Sequence, residues 1–346
     1  MIYKDNIELI ELPKIIELSS NIHVLKFELM KLLPARYIIE KSLNSGLLTK
    51  EMTVIESSSG SFALGLAYVC AKHHLRLIIV GDPAIDKNLK NKLEILGAEV
   101  EIVEPSQKFG VQKARLRKLR EIREKIGNTF WPQQYDNPLN PESYFLVGNH
   151  IIQNIDKIDC LVGSVGSGGS VCGIANYFDS IGRRINVVGV DTHGSVLFGQ
   201  KSGTRYLRGL GNGILPKNVN HTLFDQIHWV NAPDSYNMCN ELYKRNCLFM
   251  GGTSGASYLV GKWWAKKNPS QNVLIIFPDS GERYVETIYN KIWLEDNGML
   301  KEEIKDPLLV LNPDECNNNH WAYMEWNRRN ISSLTAKNAY NYGHQA

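Results

Sequence analysis

The sequence predicts an α/β protein with parallel sheets covered by helices on both faces. Two observations carry this. Apolar runs of strand length alternate with amphipathic helical stretches along most of the 346 residues. Glycine- and serine-rich turns also recur where a run ends and a helix begins, where an open parallel sheet holds its ligands. The length allows two domains or one large one.

Residues 7–12 and 22–28 read as short strands. Residues 32–44 read as a helix, with Pro34 in its first turn and Gly46 as its stop. Lys31 therefore stands between a strand and a helix N-terminus, where the helix dipole disfavours its charge. A lysine so placed suits imine chemistry; an ordinary surface lysine is the alternative. A strand from Thr53 enters Ser57-Ser58-Ser59-Gly60-Ser61, and a helix follows from about Phe62 to His73. Several hydroxyls and free N–H groups at one helix start suit a carboxylate, where one serine would suffice for capping.

Residues 75–80 form a buried strand, 87–96 a helix closed by Gly97, and 99–103 a further strand. Residues 107–126 form a basic helix that buries Val111, Leu116, Leu119, Ile122 and Ile126. With no interleaved aromatic side chains, its charge reads as a solvated face and not a nucleic-acid surface. Residues 130–141 are an irregular, amide- and proline-rich segment.

A helix from 145 leads to a buried strand over 158–165, then to Gly166, Ser167, Gly168, Gly169 and Ser170 at the start of the next helix. Strand, glycine-rich turn and helix start form a phosphate cradle. It is neither a nucleotide P-loop, since Val171 and not lysine follows Ser170, nor a Gly-x-Gly-x-x-Gly turn. A ligand-free tight turn is the alternative. Further on come a strand over 185–190, the loop Asp191 to Gly199, a second glycine-rich loop over 207–214, and Gly251 opening a helix through Trp264. The last buried strand, 273–277, runs through Pro278-Asp-Ser-Gly-Glu-Arg-Tyr284 into a helix ending near Trp293. Residues 300–346 are polar with weak periodicity and read as an appendage.

A net charge of +3 and 22% charged residues single out no polyanionic partner. No apolar run reaches the length of a membrane span, and the first residues lack a signal-peptide profile. The six cysteines form no C-x-x-C pair, and no metal-ligand spacing occurs. Buried thiols in a reducing, cytoplasmic setting are expected.

Lys31, Glu-Ser-Ser-Ser-Gly, Gln-Tyr-x-Asn-Pro-x-Asn-Pro, Gly-Ser-Gly-Gly-Ser and Pro-Asp-Ser-Gly-Glu-Arg-Tyr occur in this order. This constellation resembles the fold-type II (tryptophan synthase β-like) pyridoxal 5′-phosphate enzymes, the cysteine synthase and cystathionine β-synthase family, over roughly residues 5–295. Residues 191–199 and 287–293 look most like the branch that makes N-(2-amino-2-carboxyethyl)-glutamate, with S-sulfocysteine-forming enzymes also similar.

The resemblance implies a smaller mobile domain over 32–144, a larger cofactor domain from 10–31 and 145–295, a C-terminal extension over 296–346, and a homodimer. It implies a β-replacement on an activated L-serine, with phosphoserine or acetylserine as donor and an amine or thiol as nucleophile. A β-eliminase and a non-catalytic relative are the alternatives. It implies Lys31 as Schiff-base lysine. Gly166, Ser167, Gly168, Gly169 and Ser170 would hold the cofactor phosphate, Ser280 its pyridine nitrogen, and Ser61 would stand near its 3′-oxygen. Ser58, Ser59, Gly60, Gln134 and Gly251 would serve the substrate.

Two features depart from the family's pattern. The loop before the lysine is short, which leaves Lys26 as the alternative to Lys31, and Ser61 stands where the family has asparagine. Arg205, Arg208 and His193 are candidates for a phosphate leaving group or an acidic nucleophile; a structural role, with the arginines salt-bridged on the surface, is the equal alternative.

Overall fold

The computed structural model describes residues 2–104, 111–207, 209–301 and 303–334. The chain opens with α1 (Asn6–Ile10), then β1 (Lys14–Ser19), β2 (Ile22–Lys26) and α2 (Leu32–Asn44). It continues through β3 (Thr53–Ser57), α3 (Ser61–His73), β4 (Leu77–Gly81), α4 (Lys87–Ile95), β5 (Glu99–Ile102), α5 (Val111–Ile126) and β6 (Thr129–Phe130). Next come α6 (Leu139–Ser143), α7 (Phe145–Asn154), β7 (Cys160–Ser164), α8 (Gly169–Ser180), β8 (Asn186–Thr192), β9 (Gln226–Val230) and α9 (Ala232–Asn246). The last elements are α10 (Gly252–Lys267), β10 (Val273–Phe277), α11 (Lys291–Asp296), β11 (Leu308–Leu309) and β12 (Ala322–Glu325).

Among the described residues there are two sheets. The smaller, in the order β5-β4-β3-β6, is parallel throughout. The larger runs β1-β2-β10-β7-β8-β9-β12-β11; its centre from β2 to β9 is parallel, with antiparallel partners at β1 and β12. Both sheets are packed on two faces, so β3, β4, β7 and β10 are buried along their whole length. The expected α/β class with parallel sheets stands.

Four expectations require correction. Residues 7–12 are not a strand: Asp5 caps α1 by accepting from the Glu8 N–H, and Asp5 with Glu8 is the capping-box pattern. The segment after Tyr284 is not one helix, because a 3-10 turn over Glu282–Tyr284 is followed by separate turns and then by α11, which Asn290 caps. On α5, Val111 is exposed while Arg115 is buried, held by Asp82 and Ser59; residues 105–110 lie outside those described.

Fourth, residues 308–326 are no appendage. The β12 strand pairs with β9, and Trp326 is fully buried against Phe198 in the main core. Of the six cysteines, Cys70, Cys160, Cys172 and Cys239 are buried free thiols.

Candidate active site

The C-terminal ends of β3 and β7 and the segment after β10 border one cavity of about 490 Å³. This size falls within the range of small-molecule sites. Lys31 lines it from the first turn of α2, and Ser58 to Ser61 line it from the start of α3. Gly166, Ser167, Gly168 and Ser170 line it from the start of α8, and Gln134 from the amide-rich segment. The serine loop and the glycine loop both present helix N-termini, each a partial positive charge with free N–H groups.

The Lys31 Nζ donates to Ser167 Oγ at 3.3 Å, which places the amine at the mouth of the glycine loop. Burial draws its pKa from 10.5 to about 8. An amine that sheds its proton this much more readily supplies more of the neutral form that condensation with an aldehyde needs. Lys26 instead ends β2, paired with Phe277 and Lys14, and is not among the cavity's lining residues.

Gly168 has φ +84, and a Cβ there would stand 2.5 Å from the Asn218 carbonyl. Only glycine fits both the left-handed backbone and that approach. Ser167 Oγ also accepts from Asn140 Nδ2 at 3.3 Å, and the same Nδ2 donates to the Gln134 carbonyl at 2.6 Å. Asn140 thereby ties the substrate-side loop to the hydroxyl that holds Lys31.

Glu56, buried at the end of β3, fixes the other end of that loop. It accepts from Ser57 N at 2.7 Å, Trp131 Nε1 at 3.0 Å and Gln134 N at 3.2 Å. Burial raises its carboxyl to about 7 despite those three donors.

Ser59 is already engaged: it donates to Asp82 Oδ2 at 2.8 Å and accepts from Arg115 at 2.8 Å. That leaves Ser58, Ser61 and the helix N–H groups facing the cavity. Gly169 begins α8 packed on Asn140 and does not line the cavity.

Ser280 and Gly251 do not line it either. The Ser280 hydroxyl turns to Glu282, and Gly251 lies against the Asp279 carboxylate at the start of α10. Successive residues leaving a strand point to opposite sides, so Asp279 takes the cavity wall beside Thr253. Asp279 accepts from the Tyr284 hydroxyl at 2.9 Å, and burial raises its carboxyl. Arg115, Tyr135, Asp279 and Thr253 are cavity residues that the motif reading did not single out. Tyr135 had a signal, since it sits inside the Gln-Tyr-x-Asn-Pro motif; a buried arginine in a basic helix had none.

His193 is buried, with its Nε2 3.0 Å from the His320 carbonyl, and does not line the cavity. Arg205 does line it, and Arg208 lies outside the described residues.

The sequence profile of the family described as pyridoxal-phosphate dependent enzyme matches residues 30–279. The chain belongs to that family. Its members depend on pyridoxal phosphate, and a lysine amine beside a glycine-rich helix start fits that cofactor's aldehyde and phosphate.

The chain is similar to the N-(2-amino-2-carboxyethyl)-L-glutamate synthase of Cupriavidus metallidurans, with 35% identity over 268 residues, 75% of this chain and 79% of that protein. The synthase of the same name from Ralstonia nicotianae is 35% identical over 265 residues, 75% of this chain and 78% of its own. Among solved structures, the O-acetylserine dependent cystathionine beta-synthase from Helicobacter pylori matches with a TM-score of 0.77 and 26% identity, covering 84% of this chain and all of that one. The protein is thus a pyridoxal-phosphate-dependent enzyme of the cysteine synthase type, as its ordered motifs imply.

The depressed Lys31 pKa yields a testable pH dependence. Only the neutral amine attacks an aldehyde, so capture of pyridoxal phosphate by cofactor-free protein should accelerate as pH rises toward about 8 and level off above it. An unperturbed lysine would keep accelerating toward about 10.4. Stopped-flow absorbance of the visible band as it forms distinguishes the two profiles.

Proposed function

We propose that the enzyme catalyses β-replacement on an activated L-serine, O-phospho-L-serine or O-acetyl-L-serine, with an amine or thiol nucleophile. The product is a diaminopropionate- or cysteine-type amino acid. The observation that carries this reading is the facing pair of helix starts, one glycine-rich and one serine-rich, with the buried Lys31 amine against the first.

The start of α8 takes the cofactor phosphate on Gly166, Ser167, Gly168 and Ser170. The start of α3 takes the substrate carboxylate on Ser58, Ser61 and backbone N–H groups, with Gln134 beside them. Pyridoxal phosphate supplies an aldehyde that condenses with amines and a ring that draws electrons from the α-carbon. Lys31 takes the α-proton, and the Cβ–O bond breaks with its electron pair leaving on the phosphate or acetate oxygen. The nucleophile then bonds to the β-carbon and gives up its proton, while Lys31 returns one to the α-carbon. The unit 32–144 closes over the unit built from 10–31 and 145–295 and excludes water. The enzyme works as a cytoplasmic homodimer. In keeping with a non-membrane setting, no helix among the described residues is long and apolar enough to cross a membrane.

The test is an absorbance scan of the cofactor-loaded protein before and after O-phospho-L-serine and O-acetyl-L-serine, added separately. The visible band should shift with at least one donor, and a nucleophile should restore it while a new amino acid accumulates. A band indifferent to both donors would sink the proposal. Pyruvate released with no new amino acid would make the protein an eliminase.

A further inference from the structure

Asn140, on α6, is 1% exposed and meets the amide-rich segment and the glycine loop without lining the cavity itself. Its side-chain amide can face only one way. The Gln134 carbonyl is an acceptor alone, so the amide nitrogen and not the oxygen must point at it, at 2.6 Å. The same nitrogen has a second hydrogen, which goes to Ser167 Oγ at 3.3 Å. The amide oxygen has no donor among the described residues and lies against the backbone of α8. A Cβ at Gly169 would overlap it, and a Cβ at Gly173 would overlap the Pro141 carbonyl. Two glycines thus let α6 rest on α8 and keep Asn140 at the hydroxyl.

Ser167 Oγ is surrounded by donors. Besides Asn140 Nδ2 it has the Lys31 amine at 3.3 Å and the Gly169 N–H at 3.5 Å. A hydroxyl oxygen has two lone pairs and one proton. With Asn140 on one lone pair, the Lys31 amine meets the other by giving one of its own hydrogens. The lone pair of the neutral amine is then unengaged. A hydroxyl free to turn would give its proton to that lone pair instead, and burial, which makes the neutral amine accessible, favours that exchange.

From this geometry we infer that Asn140 is a positioning residue for Lys31: by holding Ser167 as an acceptor, it keeps the lone pair of the amine free for the α-proton of the donor. The inference rests on the β-replacement reading above. In that step the Cα–H bond breaks, its electron pair stays on the carbon, and the proton joins the amine. A hydroxyl turned toward the amine would first have to be withdrawn. Asn140 has no bond to Lys31 and acts through Ser167. Its other bond, to Gln134, has a partner in reserve, because Asn218 Nδ2 also donates to that carbonyl at 3.1 Å. Loss of Asn140 therefore falls on the proton transfer and not on capture of the donor.

The experiment uses the cofactor-loaded full chain with O-phospho-L-serine and O-acetyl-L-serine, each carrying hydrogen or deuterium on the α-carbon. Asn140→Ala, Ser167→Ala and the double variant are compared with the native enzyme, and stopped-flow absorbance follows the visible band after mixing. Asn140→Ala should slow the spectral change at saturating donor by about tenfold, the worth of one well-placed hydrogen bond. The donor concentration giving half the maximal rate should stay within about threefold, since the two sites are separately held. The slowing should carry a deuterium isotope effect no smaller than the native one, as it must if proton removal is what slows. Ser167→Ala should be slowed in the same way, and adding Asn140→Ala to it should change little further. Should Asn140→Ala fail to fold, Asn140→Leu, which keeps the bulk and drops the amide, is read by the same criteria.

A slowed variant whose isotope effect has fallen overturns the inference, because another step then limits. So does a higher donor requirement at an unchanged maximal rate, which would make Asn140 a support of Gln134 only. Additive losses in the double variant overturn it as well. A native enzyme whose band responds to neither donor overturns the β-replacement reading and this inference together; each of the other failures leaves that reading standing.

Discussion

Replacing Lys31 with alanine should lower turnover by about 10³-fold or more, because one side chain serves both covalent attachment and proton transfer. The visible band of lysine-bound cofactor should vanish, while non-covalent retention at the start of α8 persists because Gly166 to Ser170 are untouched. The structure makes this specific to Lys31. Its amine lies 3.3 Å from Ser167 Oγ in the cavity, whereas Lys26 is five residues earlier within a paired strand. Lys26→Ala should therefore keep the band and most of the activity. Absorbance and initial rates of the two variants decide it; loss of the band in Lys26→Ala alone would reassign the attachment site.

The chain's chemistry was legible wherever it depended on local backbone. The helix 32–44 was bounded by Pro34 and Gly46, and its bounds coincide with α2. The glycine and serine loops announced themselves because a helix N-terminus that admits an anion needs small residues there. What the sequence concealed depended on long-range pairing. The strand β9 hides in Gln-Ile-His-Trp-Val, where buried His228 and Trp229 look like neither alternation nor an apolar run.

The choice between Asp279 and Ser280 turned on which way the chain faces on leaving β10, a one-residue matter that no motif states. Arg115 looked like one more exposed cation, and only Asp82, 33 residues away, makes its burial tolerable. Glu56 was visible as part of Glu-Ser-Ser-Ser-Gly, but its task of pinning Trp131 and Gln134 could not be read from spacing.

The residue just past β12 carries the second large effect. Trp326 is 0% exposed, donates through Nε1 to the carbonyls of His221 at 3.0 Å and Arg329 at 2.8 Å, and meets Phe198 edge-on at 5.2 Å. Trp326→Ala would open a cavity in the main core, at about 3–5 kcal/mol. For a chain of this size that corresponds to a midpoint lowered by about 5 °C.

The effect should reach the active site. Phe198 follows the Ser195–Leu197 turn, where Val196 N donates to the Asn212 carbonyl at 2.9 Å and Asn212 N to Ser195 Oγ at 3.0 Å. Asn212 lines the cavity beside Arg205. Loosening Trp326 should thus raise the nucleophile KM while sparing cofactor capture, since the start of α8 and Lys31 lie on other elements. Tyr323→Ala, within β12 and only partly buried, supplies the control and should cost less. Calorimetry with donor and nucleophile titrations tests this. A Trp326→Ala protein with an unchanged midpoint would mean that the segment is an appendage after all.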